Sequence, residues 1–159
     1  MNRFYRFKDW VVERKKKLIV HTLIYMSLCA LFFSQVNFIV VTSESVPYSF
    51  CLQVYNLKPE KDDLCVLKFG EANFVKYVRG VAGDKVTNIN GEIFVDYRKI
   101  GEVDKKSNLT AIDSCVIPEG YVFVAGTHPD SFDSRYKEFG LVKVSDIRGR
   151  ALGCVPHGR

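Results

Sequence analysis

From Leu18 to Val41 the chain reads LIVHTLIYMSLCALFFSQVNFIVV, twenty-four residues without an Asp, Glu, Lys or Arg. At ~1.5 Å of rise per residue, a helix of that length crosses the ~30 Å hydrocarbon layer of a bilayer. The pattern therefore predicts a transmembrane helix over 18–41. Ser27-Leu28-Cys29-Ala30 offers small residues of the kind found at a signal-peptide cleavage site. The apolar run outlasts the roughly 7 to 15 residues of a secretory signal core, which favours a retained anchor. Polar His21, Thr22, Ser34, Gln35 and Asn37 within it are expected at helix contacts or the interface rather than on a proton path.

Beyond Thr42 the pattern changes to short β-branched and aromatic runs separated by turn residues. Strands are predicted over 49–55, 65–69, 74–78, 85–89, 92–95, 121–125 and 141–144. Asn90-Gly91, between Val86-Thr87-Asn88-Ile89 and Glu92-Ile93-Phe94-Val95, is a tight-hairpin signal, because both turn positions need a positive φ. The stretch from Arg98 to Asp113, which includes the Asp104-Lys105-Lys106 run, is polar and reads as a flexible excursion. No sustained 3.6-residue apolar period of helix length occurs after the anchor. The fold class is mostly β: a single N-terminal transmembrane helix and one compact β domain, divided as 1–17, 18–41 and 42–159.

Charge supports that division. Residues 1–17 hold seven Lys or Arg against two acids, and residues 42–159 hold sixteen of each, so the net +5 is entirely N-terminal. A neutral folded part excludes the nucleic-acid reading that a pI near 8.9 invites. Arg14, Lys15, Lys16 and Lys17 immediately precede the apolar run, which places the N-terminus in the cytoplasm and the β domain outside the cytoplasmic membrane.

Cys29 falls in the span, and Cys51, Cys65, Cys115 and Cys154 fall in the exported part. An even exported set suggests two disulfides in an oxidising compartment such as the periplasm. Cys51 and Cys65 flank Lys58 at equal distances in what reads as two strands joined by a turn, which favours Cys51–Cys65 with Cys115–Cys154. Metal ligation is the weaker alternative, since no C-x-x-C pair or His cluster accompanies them.

Three segments carry candidate chemistry. Thr42-Ser43-Glu44-Ser45-Val46-Pro47 begins where the span ends, and alone fits a polar linker. Phe74-Val75-Lys76-Tyr77-Val78-Arg79-Gly80 places one lysine in an apolar strand before Val81-Ala82-Gly83-Asp84. Burial disfavours an ammonium ion, so a desolvated Lys76 becomes a neutral amine able to take a hydroxyl proton, whereas an edge position would let it snorkel to water. The third segment, from Gly126 to Gly140, contains His128-Pro129-Asp130-Ser131-Phe132-Asp133-Ser134-Arg135, and its composition alone equally fits a surface turn.

In this order and spacing the three segments resemble the type I signal peptidase family: a Ser-x-Pro-type box after a membrane span, a Lys-x-x-x-Gly-x-x-Gly-Asp box, and an Asp-Ser-Arg box. Ile147-Arg148-Gly149-Arg150-Ala151 resembles the family's final strand. The resemblance implies a signal-peptidase-like β domain and a serine endopeptidase with Ser45 as nucleophile and Lys76 as general base. It further implies an oxyanion site from the Ser45 N–H and the Ser43 hydroxyl, a hydrogen bond from Ser131 to the lysine, and a supporting role for Asp133, Ser134 and Arg135. No metal or organic cofactor is implied. A Ser-His-Asp arrangement would have only His128 to use. Pro47 lies two residues after Ser45, and Ala82 replaces a common proline. Both depart from the bacterial housekeeping pattern; the Ser-x-Pro spacing and the small domain look more like the TraF-type peptidases of conjugative plasmids, although Ser49 stands where those have glycine. The implied partners are exported precursors or propilin, the bilayer, and conjugation or secretion machinery. The competing class is a non-catalytic membrane-anchored assembly factor, or an extracellular binding module.

Overall fold

A computed structural model of the chain describes residues 2–70, 72–104 and 108–157, so Lys105 and Lys106 of the charge run lie outside the described residues. It divides into a helical unit, 1–36, and a β unit, 37–159. The first holds α1 (Asn2–Ser34), whose Glu13–Ser34 stretch of 22 residues contains a window of mean hydropathy 1.6 and is long and apolar enough to cross a membrane. Its polar residues bond the helix's own backbone. Thr22 Oγ1 donates to the Leu18 carbonyl at 2.9 Å, Ser34 Oγ to Leu31 at 2.7 Å, and His21 Nδ1 lies 2.6 Å from the Lys17 carbonyl oxygen. Such back-bonding satisfies hydroxyl and imidazole groups without a partner helix.

The apolar run does not stay helical to Val41. It turns at Gln35 and continues as β1 (Val36–Val40), whose β-branched and aromatic side chains suit a pleated strand, and whose pairing with the next strand decides the conformation.

The β unit continues with β2 (Tyr48–Val54), β3 (Leu64–Phe69), β4 (Ala72–Gly80), β5 (Lys85–Ile89), β6 (Glu92–Val95), β7 (Arg98–Glu102), β8 (Cys115–Val116), β9 (Tyr121–Ala125), β10 (Val142–Lys143) and β11 (Ile147–Pro156). All seven predicted strands are present. The Asn90-Gly91 turn carries φ of 54° and 91° as a tight hairpin requires. The Arg98–Asp113 excursion needs correction: its first five residues form β7, antiparallel to β6. Arg98 and Lys99 reach carboxylates on Asp62 and Glu92, so a polar edge strand is stabilised by pairing that its composition does not advertise.

Two sheets result, one ordered β1-β2-β11-β3-β4-β9-β10 and one ordered β7-β6-β5-β8. Core residues fall in three clusters: around Val46, Cys51 and Val66; around Leu67, Val78 and Phe139; and around Val86, Ile93 and Phe123. β4 links them. Its register slips between Val78 and Gly80 against β9. A Cβ at Gly80 would stand 2.7 Å from Ile117 Cδ1 and 2.9 Å from Val95 Cγ1, which is why this strand must end in glycine.

The topology also corrects the cysteines. β11 lies between β2 and β3, so the strands bearing Cys51 and Cys65 are not neighbours. The disulfide is Cys51–Cys154, joining β2 to β11. Cys65 and Cys115 are free thiols, one buried on β3 and the other half-buried on β8 of the second sheet.

Candidate active site

Lys76 lies mid-strand on β4, opposite Cys65 on β3, and is fully buried. Strand alternation puts it on the same face as Phe74 and Val78, with the Phe74 ring 5.6 Å from Nζ. Its Nζ donates to Ser45 Oγ at 2.8 Å and to Ser131 Oγ at 2.6 Å. No carboxylate among the described residues bonds it. Burial pulls its pKa down to about 8 from an ordinary 10.5, against the pull of Asp133 and with a push from the Arg135 charge. Burial also pushes the neighbouring Cys65 thiol up to about 12, so it is uncharged where Lys76 titrates.

Ser45 sits in the turn between β1 and β2 and is half-buried. Two contacts hold the turn from within the domain. Val46 is fully buried in the first core cluster, and the Thr127 N–H donates 2.8 Å to the Ser45 carbonyl. Ser43 is exposed and lines a groove of about 210 Å³ between β1 and the start of β4.

Ser131 is brought to Lys76 by the loop after β9, and the rest of that loop is tied into one buried network. Arg135 forms an ion pair with Asp133 at 2.9 Å, with both side chains buried. Asp133 Oδ2 also accepts the Gly126 N–H at 2.9 Å. Arg135 donates further to the carbonyls of Ser131, His128 and Glu102. Ser134 exchanges hydrogen bonds with Val124, its hydroxyl accepting the Val124 N–H at 3.1 Å and its own N–H reaching the Val124 carbonyl at 3.0 Å. A buried ion pair is tolerable only when the remaining polar atoms are satisfied, and here they are.

Ser45, Lys76, Ser131, Asp133, Ser134 and Arg135 are thus gathered in one place, with Ser43 on the same turn as Ser45. Of Cys51, Cys65, Cys115 and Cys154, Cys65 adjoins the site, opposite Lys76 on β3. His128 is engaged elsewhere: its Nδ1 accepts the Asp130 N–H at 3.2 Å and its Nε2 faces Glu44 at 3.8 Å, while Ser45 Oγ is held by Lys76. Sequence reasoning missed the role of Gly126. A Cβ there would collide with the Ser131 hydroxyl and the Ser45 carbonyl, so this glycine lets two loops meet. The available signal was a glycine directly after an apolar strand and before a polar loop.

Residues 11–155 match the family model described as signal peptidase, peptidase S26. No curated protein matches the chain. Among solved structures, a signal peptidase I from Enterococcus faecalis V583 is 27% identical over a match covering 58% of this chain and 96% of that one, with a TM-score of 0.43.

Proposed function

Because the chain belongs to the signal peptidase family, peptidase S26, whose activity is serine endoproteolysis of exported precursors, we propose that Ser45 is its nucleophile and Lys76 its general base. The observation that carries this reading is the 2.8 Å contact between a half-exposed serine hydroxyl and a fully buried lysine whose pKa is pulled down to about 8. A neutral amine has one lone pair and two N–H donors. With one N–H on Ser131, the lone pair faces the Ser45 hydroxyl and takes its proton as Oγ attacks the scissile carbonyl carbon. The Ser45 N–H and the Ser43 hydroxyl are the two donors for the tetrahedral oxyanion, whose charge develops only in the transition state. On collapse, Lys76 returns the proton to the departing amine, leaving an acyl-enzyme at Ser45. Water, deprotonated by Lys76, then releases the new carboxylate. Asp133, Ser134 and Arg135 contribute by holding Ser131 and the Gly126 turn in place.

The apolar helix anchors the enzyme in the cytoplasmic membrane as a single pass, with the N-terminal basic cluster inside and residues 42–159 outside. Cleavage sites near the outer bilayer surface are the ones within reach. The narrower reading, a TraF-type processor of propilin in conjugative transfer, is supported by the Ser45-Val46-Pro47 spacing and the small domain. In that case the substrate's own N-terminal amine replaces water, forming a new amide and regenerating the Ser45 hydroxyl.

The test co-expresses wild type, Ser45→Ala and Lys76→Ala with a propilin and with a generic small-residue precursor, and weighs the products by mass spectrometry. Processing by wild type and loss in both variants is expected. A product lighter by one water than the linear chain identifies cyclisation. Equal cleavage by all three proteins overturns the dyad, and an inserted, folded wild type that cleaves neither substrate leaves the assembly-factor reading.

A further inference from the structure

The Ser45 turn enters β2 through Pro47 and Tyr48, and this side is braced by β11 in an unusual way. Between Leu152 and Pro156 the β11–β2 register breaks twice, with Gly153 at a φ of 53°. The residue opposite Tyr48 is Pro156, which has no N–H to donate. The ladder therefore does little to hold the end of β11 against the turn. Two other features do so. The disulfide Cys51–Cys154 links the strands at the irregularity, and the His157 N–H donates to the Pro47 carbonyl at 3.2 Å while its Nδ1 shares a 2.8 Å hydrogen bond with Ser49 Oγ.

We infer that His157 is a positioning residue for Ser45, gripping the exit of its turn at Pro47 and Ser49 while the Cys51–Cys154 disulfide holds the β11 end in reach. The Thr127 N–H grips the same turn at the Ser45 carbonyl, so the serine is fixed from two sides and Oγ is kept on Lys76 Nζ. Small displacements of a nucleophile are costly because attack requires near-contact alignment. His157 touches neither Lys76 nor Ser45, so its removal should slow the chemical step and leave substrate binding alone. The kinetic part of this inference rests on the peptidase reading above.

The test uses the full chain in detergent, with a signal-peptide substrate and with hydrogen exchange read on the amides of Val46, Tyr48 and Ser49. His157→Ala should lower kcat by about tenfold with KM unchanged. His157→Asn, whose amide reaches the place of Nδ1, should restore most of it. Ser49→Ala should match His157→Ala, and the double variant should be no slower than either. Exchange of the turn amides should quicken in His157→Ala. The alanine keeps the backbone N–H on Pro47 and removes only the imidazole on Ser49, so unchanged exchange in His157→Ala overturns the side-chain brace whatever the activity. So does a wild-type kcat in that variant, or a loss that Asn fails to restore and that accompanies a lowered thermal midpoint. Quickened exchange beside a wild type that cleaves nothing keeps the brace and overturns the peptidase reading instead.

Discussion

The β unit buries two cationic side chains close to one another, and their surroundings are opposite. Arg135 is met by a carboxylate and three carbonyls, so its charge is fully compensated where it sits. Lys76 is met by two hydroxyls and an aromatic ring, and no carboxylate among the described residues hydrogen-bonds it. A guanidinium cannot lose its proton in a protein, so burying one requires pairing; an ammonium ion can, so burying one without pairing makes a base. One cation holds the loop together and the other is prepared to change protonation state. The Asp133 charge favours the ammonium form of Lys76 and the Arg135 charge opposes it, with the carboxylate pulling harder and burial outweighing both.

Breaking the contrast at Lys76 should give the largest effect. Lys76→Met keeps the volume and removes the base, and kcat for precursor cleavage should fall on the order of a thousandfold, read in single-turnover cleavage at pH 8. Breaking it on the other side, Asp133→Ala strands Arg135 as an uncompensated buried charge. It should cost about 3–5 kcal/mol in urea-induced unfolding.

Lys76 sharpens the contrast through pH. Its folded pKa of about 8 lies below the unfolded value, so between the two the unfolded chain binds the extra proton. Its contribution to stability therefore rises with pH across that window, and below pH 8 the full penalty of burying the ammonium stands. Lys76→Met should be more stable than wild type at pH 7 by on the order of 3 kcal/mol, with the difference closing as pH approaches 10. Wild-type activity should climb toward a plateau above about pH 8. Denaturant midpoints taken from pH 6 to 10 on both proteins test the first claim, and the pH–rate profile tests the second. Parallel stability curves would mean that Lys76 stays charged, and the general-base assignment would fall.

The smallest effect belongs to Ser131→Ala. Losing one hydrogen bond to the amine is worth about 1 kcal/mol, or roughly a fivefold drop in kcat. The acidic limb of the pH–rate profile should move to lower pH, since that hydroxyl accepts more strongly from an ammonium ion than from an amine.

Much of this site was legible in the linear chain. Lys76 could be singled out because a lone lysine in Phe74-Val75-Lys76-Tyr77-Val78 faces a core wherever that strand is central, and alternation fixes its face. The Asn90-Gly91 turn was legible because both its positions need a positive φ, which few residues adopt. Other elements were not readable in this way. β1 is hidden in an apolar run whose composition fits a helix as well as a strand, and β7 is polar and held by cross-strand carboxylates. The cysteine pairing failed because β11, nearly a hundred residues further along, inserts between β2 and β3, and no local pattern reports which strand will do so.

By itself the sequence determined the apolar anchor and the mostly β character of residues 42–159, because periodicity and turn chemistry are local properties; Ser45 and the Ser131–Arg135 box stood out only through the order and spacing of three boxes that resemble a known family's, since each segment alone fits a linker or a surface turn. Only the tertiary structure decided that Lys76 is buried against hydroxyls rather than a carboxylate, that Cys51 pairs with Cys154, and that Gly126 and His157 border the Ser45 turn. Those outcomes depend on strand order and on which distant backbones approach within a few ångströms, and desolvation and covalent pairing are set by such neighbours rather than by position along the chain.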